Sequence, residues 1–466
     1  MPLTSLPVEV LTRILEFVDD ACPLTGVSLT CKTLNDVAEP LLYRSFRERN
    51  VSSMGLFARA IISRPYLARY VRSFEGTTHR PSVRADPTKE GINLRIISKT
   101  YPTYKQLEAL RQSLPNSVYG EEFCTAWYGN LTNWFDNWDA FLGFIFQVCS
   151  RSLTSIGFQT VGVIKYPYLR TVLEQAVEEQ HSTAEEPMLS NLRKVDLKYD
   201  GRTDHRDRGI TIEFVLPFFR LKSVDAISIE GLNDYVTPLT SEFSEQHVFA
   251  IKELTLTESR TSAALLEKLL QGFVSLRYFK YQHAPEGFPG NTPFRPKTIV
   301  NGLKQSKHCL ERLFLSQKRQ RRIPYSRTNH FDELHEPFGS LQSFERLRVV
   351  NVDTCVLLGP EHDDFSGEEL EYTASQCMTA IAALPATLEA LHITRCKSSI
   401  FGFLERVLPE ESPVPFPKLR SIHLLSAREI YVPGWPVTWE SWEKRALEKG
   451  IVLTRTVFNE RESWLR

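Results

Sequence analysis

The sequence predicts an α/β fold in which a small all-helical unit precedes a long array of strand–helix repeats. Three observations carry this. Residues 6–46 place apolar side chains at intervals of three and four, the period of helices that bury one face. From residue 150 onward a short pattern, apolar-x-x-apolar-x-apolar, occurs nine times. Between its copies lie segments with helical periodicity.

The N-terminal stretch comes first. Val10, Leu11, Ile14, Leu15 and Val18 mark one helix; Leu24, Val27 and Leu29 a second; Leu34, Val37, Leu41, Leu42 and Tyr43 a third. Three short helices in about forty residues bury too little surface to stand alone comfortably, so the unit is expected to lean on the rest of the chain or on a partner. Pro7 suits the first helical position, where its missing N–H costs nothing. Glu9 then lies in the first turn, favoured by the helix dipole. This arrangement puts Leu6 at the N-cap, a slot that prefers Ser, Thr or Asp. An apolar side chain breaking a local rule points to contact with another surface.

The spaced anchors Leu6-Pro7-x-Glu9-Val10-Leu11-x-x-Ile14-Leu15, Val27-Ser28-Leu29-x-Cys31-Lys32 and Leu42-Tyr43-x-x-Phe46 resemble the F-box. Leu34 stands where many members carry Trp. The resemblance covers residues 1–48, about a tenth of the chain. It implies docking on the Skp-type adaptor of an SCF (Skp–cullin–F-box) ubiquitin ligase and, through it, on a cullin. Leu6, Pro7, Val10, Leu11, Ile14, Leu15, Leu29, Cys31 and Leu34 would then line the interface.

Residues 49–149 read as a helical and loop-rich connection packing on the repeats. Met54, Phe57, Ile61 and Ile62 mark a helix face that Pro65 ends, and residues 67–74 read as a turn of helix into a strand. Residues 76–91 form a polar loop rich in turn formers. Between Tyr119 and Val148 aromatics crowd together, with Trp134, Trp138 and Phe141 on one helix face. Such a stripe is expected to be core before it is a ligand pocket.

Residues 150–466 carry the repeats. The copies are Leu153-Ile156-Phe158, Leu192-Val195-Leu197, Val224-Ile227-Ile229, Ile251-Leu254-Leu256, Leu276-Phe279-Tyr281, Leu310-Leu313-Leu315, Leu347-Val350-Val352, Leu388-Leu391-Ile393 and Leu419-Ile422-Leu424. Each ends in strict alternation, the pattern of a half-buried strand. Helical segments are expected at Tyr168–Glu178, Ala263–Phe273, Lys297–Lys307, Tyr372–Leu384, Phe401–Leu408 and Trp439–Lys449. Copies start 25 to 41 residues apart. A short strand, a turn and a helix, repeated, is the signature of a leucine-rich-repeat solenoid. The loose spacing and the scarcity of Asn after the strands make it an irregular one. The combination is similar to the large F-box families of filamentous fungi.

In such an array one unit cannot bury its apolar face alone, so units stack. Residues between the apolar positions then face outward. That assigns Lys194, Asp196, Lys198, Glu253, Thr255, Thr257, Tyr278, Lys280, Arg312, Phe314, Asn351, Asp353, His392, Thr394 and His423 to an exposed row. Its mixed charge and two aromatics suit a protein target.

Composition narrows the function further. Lys and Arg number 56, as do Asp and Glu, which gives no general pull toward nucleic acid or an anionic membrane. No apolar run is long enough to span a bilayer, and the N-terminus lacks the pattern of a secretory signal. The eight cysteines include no pair two residues apart, so free thiols in a reducing cytoplasm or nucleus are expected. Asn130-Leu131-Thr132 is then an unused glycosylation match.

Candidate chemistry is sparse. His330-x-Asp332-Glu333-x-His335-Glu336 holds ligand-type residues, but histidines five apart do not share a helix face. Lys318-Arg319-Gln320-Arg321-Arg322 is a basic run that could dock an acidic or phosphorylated partner. The acids from Glu361 to Glu371 miss the calcium-loop spacing. With no phosphate loop and no nucleophile elbow, neither catalysis nor a cofactor or metal is expected. The expected role is a non-catalytic substrate receptor. The alternatives are an F-box scaffold working outside SCF complexes and a repeat protein that binds nucleic acid or a phosphoprotein through the basic run.

Overall fold

The structure, a computed structural model, describes residues 3–18, 21–48, 51–77, 103, 105–108, 116–132, 138–160, 166–199, 209–234, 248–284, 294–317, 337–359, 372–397, 399–426 and 439–457. The chain divides into two compact units, Met1–Ile227 and Ser228–Arg466.

The first unit opens with α1 (Val8–Glu16), α2 (Ala21–Ser28) and α3 (Lys32–Leu42). Leu11, Leu15, Leu24, Leu34, Val37 and Ala38 form their common core, and Leu6, Val18, Val27, Leu41 and Leu42 pack at its margin. The expected cap of α1 needs correction. Pro7, not Leu6, is the N-cap, with ψ 147°. Its carbonyl already accepts from the amides of Val10 and Leu11, both at 3.0 Å, so the helix starts one residue later.

Immediately after α3 the chain becomes a strand. β1 (Ser45–Arg47) pairs in parallel with β2 (Ser73–Thr77), which pairs with β3 (Ser155–Thr160), which pairs with β4 (Lys194–Tyr199). The same hydrogen-bond device sets each register. The Arg44 carbonyl accepts from the amides of Arg72 and Ser73, the Arg72 carbonyl from Thr154 and Ser155, and the Thr154 carbonyl from Arg193 and Lys194. One acceptor thus meets two donors at every strand entry, and the pleat aligns Phe46, Phe74, Ile156 and Val195 in one buried row.

Helices cover the buried side of these strands. Helix Val51–Ser63 buries Met54, Phe57 and Ile61, and a 3-10 segment, Pro65–Tyr70, leads into β2. Helix Trp138–Cys149 is buried on nearly every side, and the Trp127 indole N–H donates to the Ala140 carbonyl at 2.9 Å. Most of the described aromatic stretch is core: Trp127, Phe141, Phe144 and Phe146 are all at most 1% exposed, while Tyr119, Phe123 and Tyr128 are half-buried. Trp134, Phe135 and most of the loop at 76–91 lie outside the described residues.

β5 (Ala226–Glu230) falls at the division between the units. In the second unit β6 (Glu253–Ser259), β7 (Tyr278–His283), β8 (Arg312–Gln317), β9 (Val349–Asp353), β10 (Ala390–Thr394), β11 (Ser421–Ser426) and β12 (Val452–Val457) pair successively, all in parallel. The two-amide carbonyl recurs at Lys252, Arg277, Glu311, Arg348 and Glu389. Two apolar rows result, Leu254–Phe279–Leu313–Val350–Leu391–Ile422–Leu453 and Leu256–Tyr281–Leu315–Val352–Ile393–Leu424.

Parallel pairing requires a long crossover between strands, and helices lie in every crossover between β6 and β12 except that from β8 to β9, where the described residues include none. They run Ala263–Gln271, Pro296–Gly302, Ala374–Ala383, Ile400–Val407 and Trp439–Glu448, close to the expected segments. Local chemistry starts two of them. The Ser262 hydroxyl caps the first, and Thr373 with Gln376 forms a reciprocal capping box on the third. No helix among the described residues is long and apolar enough to cross a membrane.

Candidate protein-docking surfaces

α1 has two apolar faces, and only one belongs to the core. Leu11 and Leu15 are 1% and 3% exposed, whereas Val10, Ile14 and Phe17 are 42%, 40% and 85% exposed. Pro7, Val10, Ile14 and Phe17 follow a spacing of three, four and three, which puts them on one outward stripe. Beyond α2, Leu29 is 82% exposed and Cys31 is open to solvent. These apolar side chains stand in water while the three-helix core is closed without them, the kind of exposed patch found at interaction sites.

Of the expected interface residues, Leu11, Leu15 and Leu34 sit inside the three-helix core, beneath the exposed stripe. Leu6 is half-buried against the same core. Three exposed apolar residues escaped the sequence reading, Leu3, Val8 and Phe17. Phe17 was within reach of it, since it lies three residues beyond Ile14 and continues the stripe.

The unit is anchored on the sheet side by polar contacts. The Arg64 guanidinium pairs with the Glu39 carboxylate of α3, donates to the Tyr43 hydroxyl at 3.0 Å and lies 5.7 Å from the Tyr43 ring centroid. The Tyr66 hydroxyl donates to the same carboxylate at 3.0 Å. Glu48, after β1, accepts from the Thr77 amide at 2.7 Å and the Thr77 hydroxyl at 2.9 Å; burial pushes its carboxyl above the usual range, against the pull of those bonds.

Residues 3–49 match the F-box-like family. The F-box-like domain therefore takes in α1, α2, α3 and β1, and the exposed stripe belongs to it. Such a domain implies binding to a Skp-type adaptor and fits an adaptor subunit of a ubiquitin ligase. No curated protein matches the chain.

Each unit carries a second surface, formed by its outward strand residues. In the first unit Lys194 and Lys198 are exposed, and Lys198 pairs with Asp196 at 3.1 Å. In the second unit the register lines up Thr255, Lys280, Phe314, Asn351, His392, His423 and Thr454 across successive strands. A neighbouring row brings Glu253, Tyr278 and Arg312 together. Tyr278 and Phe314 are ring neighbours at 5.3 Å, beside Lys280 and Arg312. Burial raises the Tyr278 hydroxyl's pKa above its ordinary value, opposed by a bond with Thr255. Thr257 and Thr394 are half-buried.

Asp353 corrects the expected exposed row. It is 1% exposed. Its carboxylate accepts from the Gln317 amide at 2.7 Å and from the Thr394 hydroxyl, and pairs with Arg395 at 3.3 Å. Asp353 is the N-cap residue of the short helix Thr354–Leu358, where the chain turns off the strand and the alternation stops. The His330–Glu336 cluster, the Lys318–Arg322 run and the acids from Glu361 to Glu371 lie outside the described residues.

Proposed function

We propose that this chain is the substrate-recognition subunit of an SCF-type ubiquitin ligase. The F-box-like domain docks on a Skp-type adaptor, which links it to a cullin, and the strand–helix array forms a leucine-rich-repeat-like solenoid whose outward strand face holds a protein target. The observation that carries the reading is the stripe Val10, Ile14 and Phe17, left in water by a domain at residues 3–49 whose core is complete without it.

The mechanism in this reading is proximity. One end of the chain engages the ligase and the other the target, which raises the effective concentration of target lysines near the charged ubiquitin carrier. Each apolar side chain that the adaptor buries fully contributes roughly 1.5–3 kcal/mol before ordering costs. Polar and aromatic strand residues suit the other end, because they combine contact area with hydrogen-bonding specificity.

The test is co-purification of the full chain with a Skp-type adaptor and its cullin. An Ile14→Asp, Phe17→Asp double variant is expected to lose both partners while melting like the wild type. Retention of the adaptor by that folded variant overturns the assignment. Adaptor bound to the wild type without any cullin would instead favour a scaffold working outside SCF complexes.

A further inference from the structure

Two histidines on the outward sheet face of the second unit form an arrangement that the ligase reading leaves unused. His392 on β10 and His423 on β11 are direct register partners. Their ring centroids are 5.6 Å apart, with the rings inclined at 45°. A tetrahedral ion bound at about 2.05 Å by two imidazole nitrogens holds the two ring centroids about 5 Å apart, so the pair is within a small side-chain adjustment of chelating geometry.

The surroundings favour the same use. His423 Nδ1 lies 2.7 Å from the Thr454 hydroxyl oxygen on β12. The tautomer that donates from Nδ1 to this oxygen leaves the Nε2 lone pair available, the outer-shell arrangement common to metal-bound imidazoles. The register neighbours on β10, β11 and β12 are uncharged: Ala390 and Thr394, Ser421 and Leu425, Val452 and Thr456. On β9, Asn351 is the register partner of His392, and Asp353, the partner of Thr394, is buried and engaged by Gln317, Thr394 and Arg395. Arg455 belongs to the opposite row and lies over the Trp439 ring at 5.0 Å. No third His, Cys, Asp or Glu joins the pair among the described residues. Two protein ligands leave the remaining positions to water, which makes the site open and exchangeable.

We propose that His392 and His423 form a cross-strand site for a late first-row divalent cation of the zinc class. Imidazole ligands suit zinc, copper and nickel, whereas magnesium and calcium require oxygen. This inference does not depend on the ligase reading.

The experiment is calorimetric titration of the full chain with Zn²⁺, with Mg²⁺ as the comparison ion. A saturable zinc site is expected that Mg²⁺ does not occupy. It should disappear in His392→Ala and in His423→Ala, and weaken by about tenfold in Thr454→Val, which removes the outer-shell oxygen. His392→Gln and His423→Gln, closer in size and polarity, serve if an alanine variant melts early. Absence of saturable zinc binding in the wild type overturns the proposal, and so does zinc binding that persists unchanged in both folded histidine variants.

Discussion

Phe46 of β1 and Phe74 of β2 are register partners whose rings stack with centroids 5.2 Å apart. Phe57 closes on Phe46 from the helix side at 4.3 Å. The last anchor of the F-box-like domain is therefore the first inward residue of the sheet in its unit, and domain and sheet share one aromatic core. With Arg64 and Tyr66 gripping Glu39 of α3, the exposed stripe of α1 has a fixed orientation to these first strands.

Truncation at that junction should be costly. Phe46 is 8% exposed, and Phe46→Ala removes contacts to both Phe57 and Phe74. A loss of about 3–5 kcal/mol is expected from deletion of a buried aromatic ring. Urea denaturation of the full chain measures it. An unchanged midpoint would mean that the junction does not hold the first unit together.

The two apolar faces of α1 should separate stability from binding. Leu15→Ala empties part of the three-helix core and is expected to cost about 2–5 kcal/mol. Ile14→Ala, one residue earlier, trims a side chain that is 40% exposed and should change stability by no more than about 0.5 kcal/mol. Thermal melting of both variants, alongside adaptor capture, checks the division. Equal destabilisation by the two would show that Ile14 is also core.

Much of this fold was legible, for a physical reason. Each of the nine copies read from the sequence became a strand because its apolar triplet matches the pleat and packs beside the apolar residues of the adjoining strands. Three strands went unread or half-read where the triplet fails. β1 has one inward residue, Phe46. β2 runs Val71-x-x-Phe74-x-Gly76, with glycine in the third place, where a Cβ would come within 3.1 Å of the Phe74 ring. β12 buries Leu453 alone. The docking stripe was harder, because periodicity marks apolar positions without saying which side is closed. Leu11 and Leu15 differ from Val10 and Ile14 only in what α2 and α3 place beside them. Asp353 was misread because alternation cannot anticipate where a strand turns into a helix.

Asp139 provides a pH signature. Its carboxylate accepts from the Tyr168 and Leu169 amides at 2.7 and 3.0 Å, at the start of helix Pro167–His181. Burial nevertheless pushes its pKa from 3.8 up to about 6, the two amide bonds opposing the shift. Below the unfolded value both states hold the proton. Between the two values the unfolded chain releases it and the folded chain keeps it, so this group's contribution to stability falls as pH rises from about 4 to about 6. Asp139→Asn should remove that slope. The melting temperature of the wild type, taken relative to the variant, is expected to drop across this interval and level off above it. A constant difference from pH 4 to about 7 would mean that the carboxyl does not titrate there.

Gly302 closes helix Pro296–Gly302 against helix Ala263–Gln271, and here two opposing effects can be weighed. Its φ is −61°, a conformation any residue adopts, so replacing glycine by alanine would ordinarily stabilise by about 0.4–1 kcal/mol through the unfolded chain. An added Cβ, however, would lie 2.8 Å from the Leu270 Cβ, 3.0 Å from the Glu267 carbonyl oxygen and 3.2 Å from the Glu267 Cα. None of these is the far end of a flexible side chain, so the clash is relieved only by moving one helix off the other. Overpacking of this kind costs about 1–3 kcal/mol, which outweighs the entropic gain. Gly302→Ala is therefore expected to lower the denaturation midpoint of the chain. A raised midpoint would show that the two helices stand further apart than this contact allows.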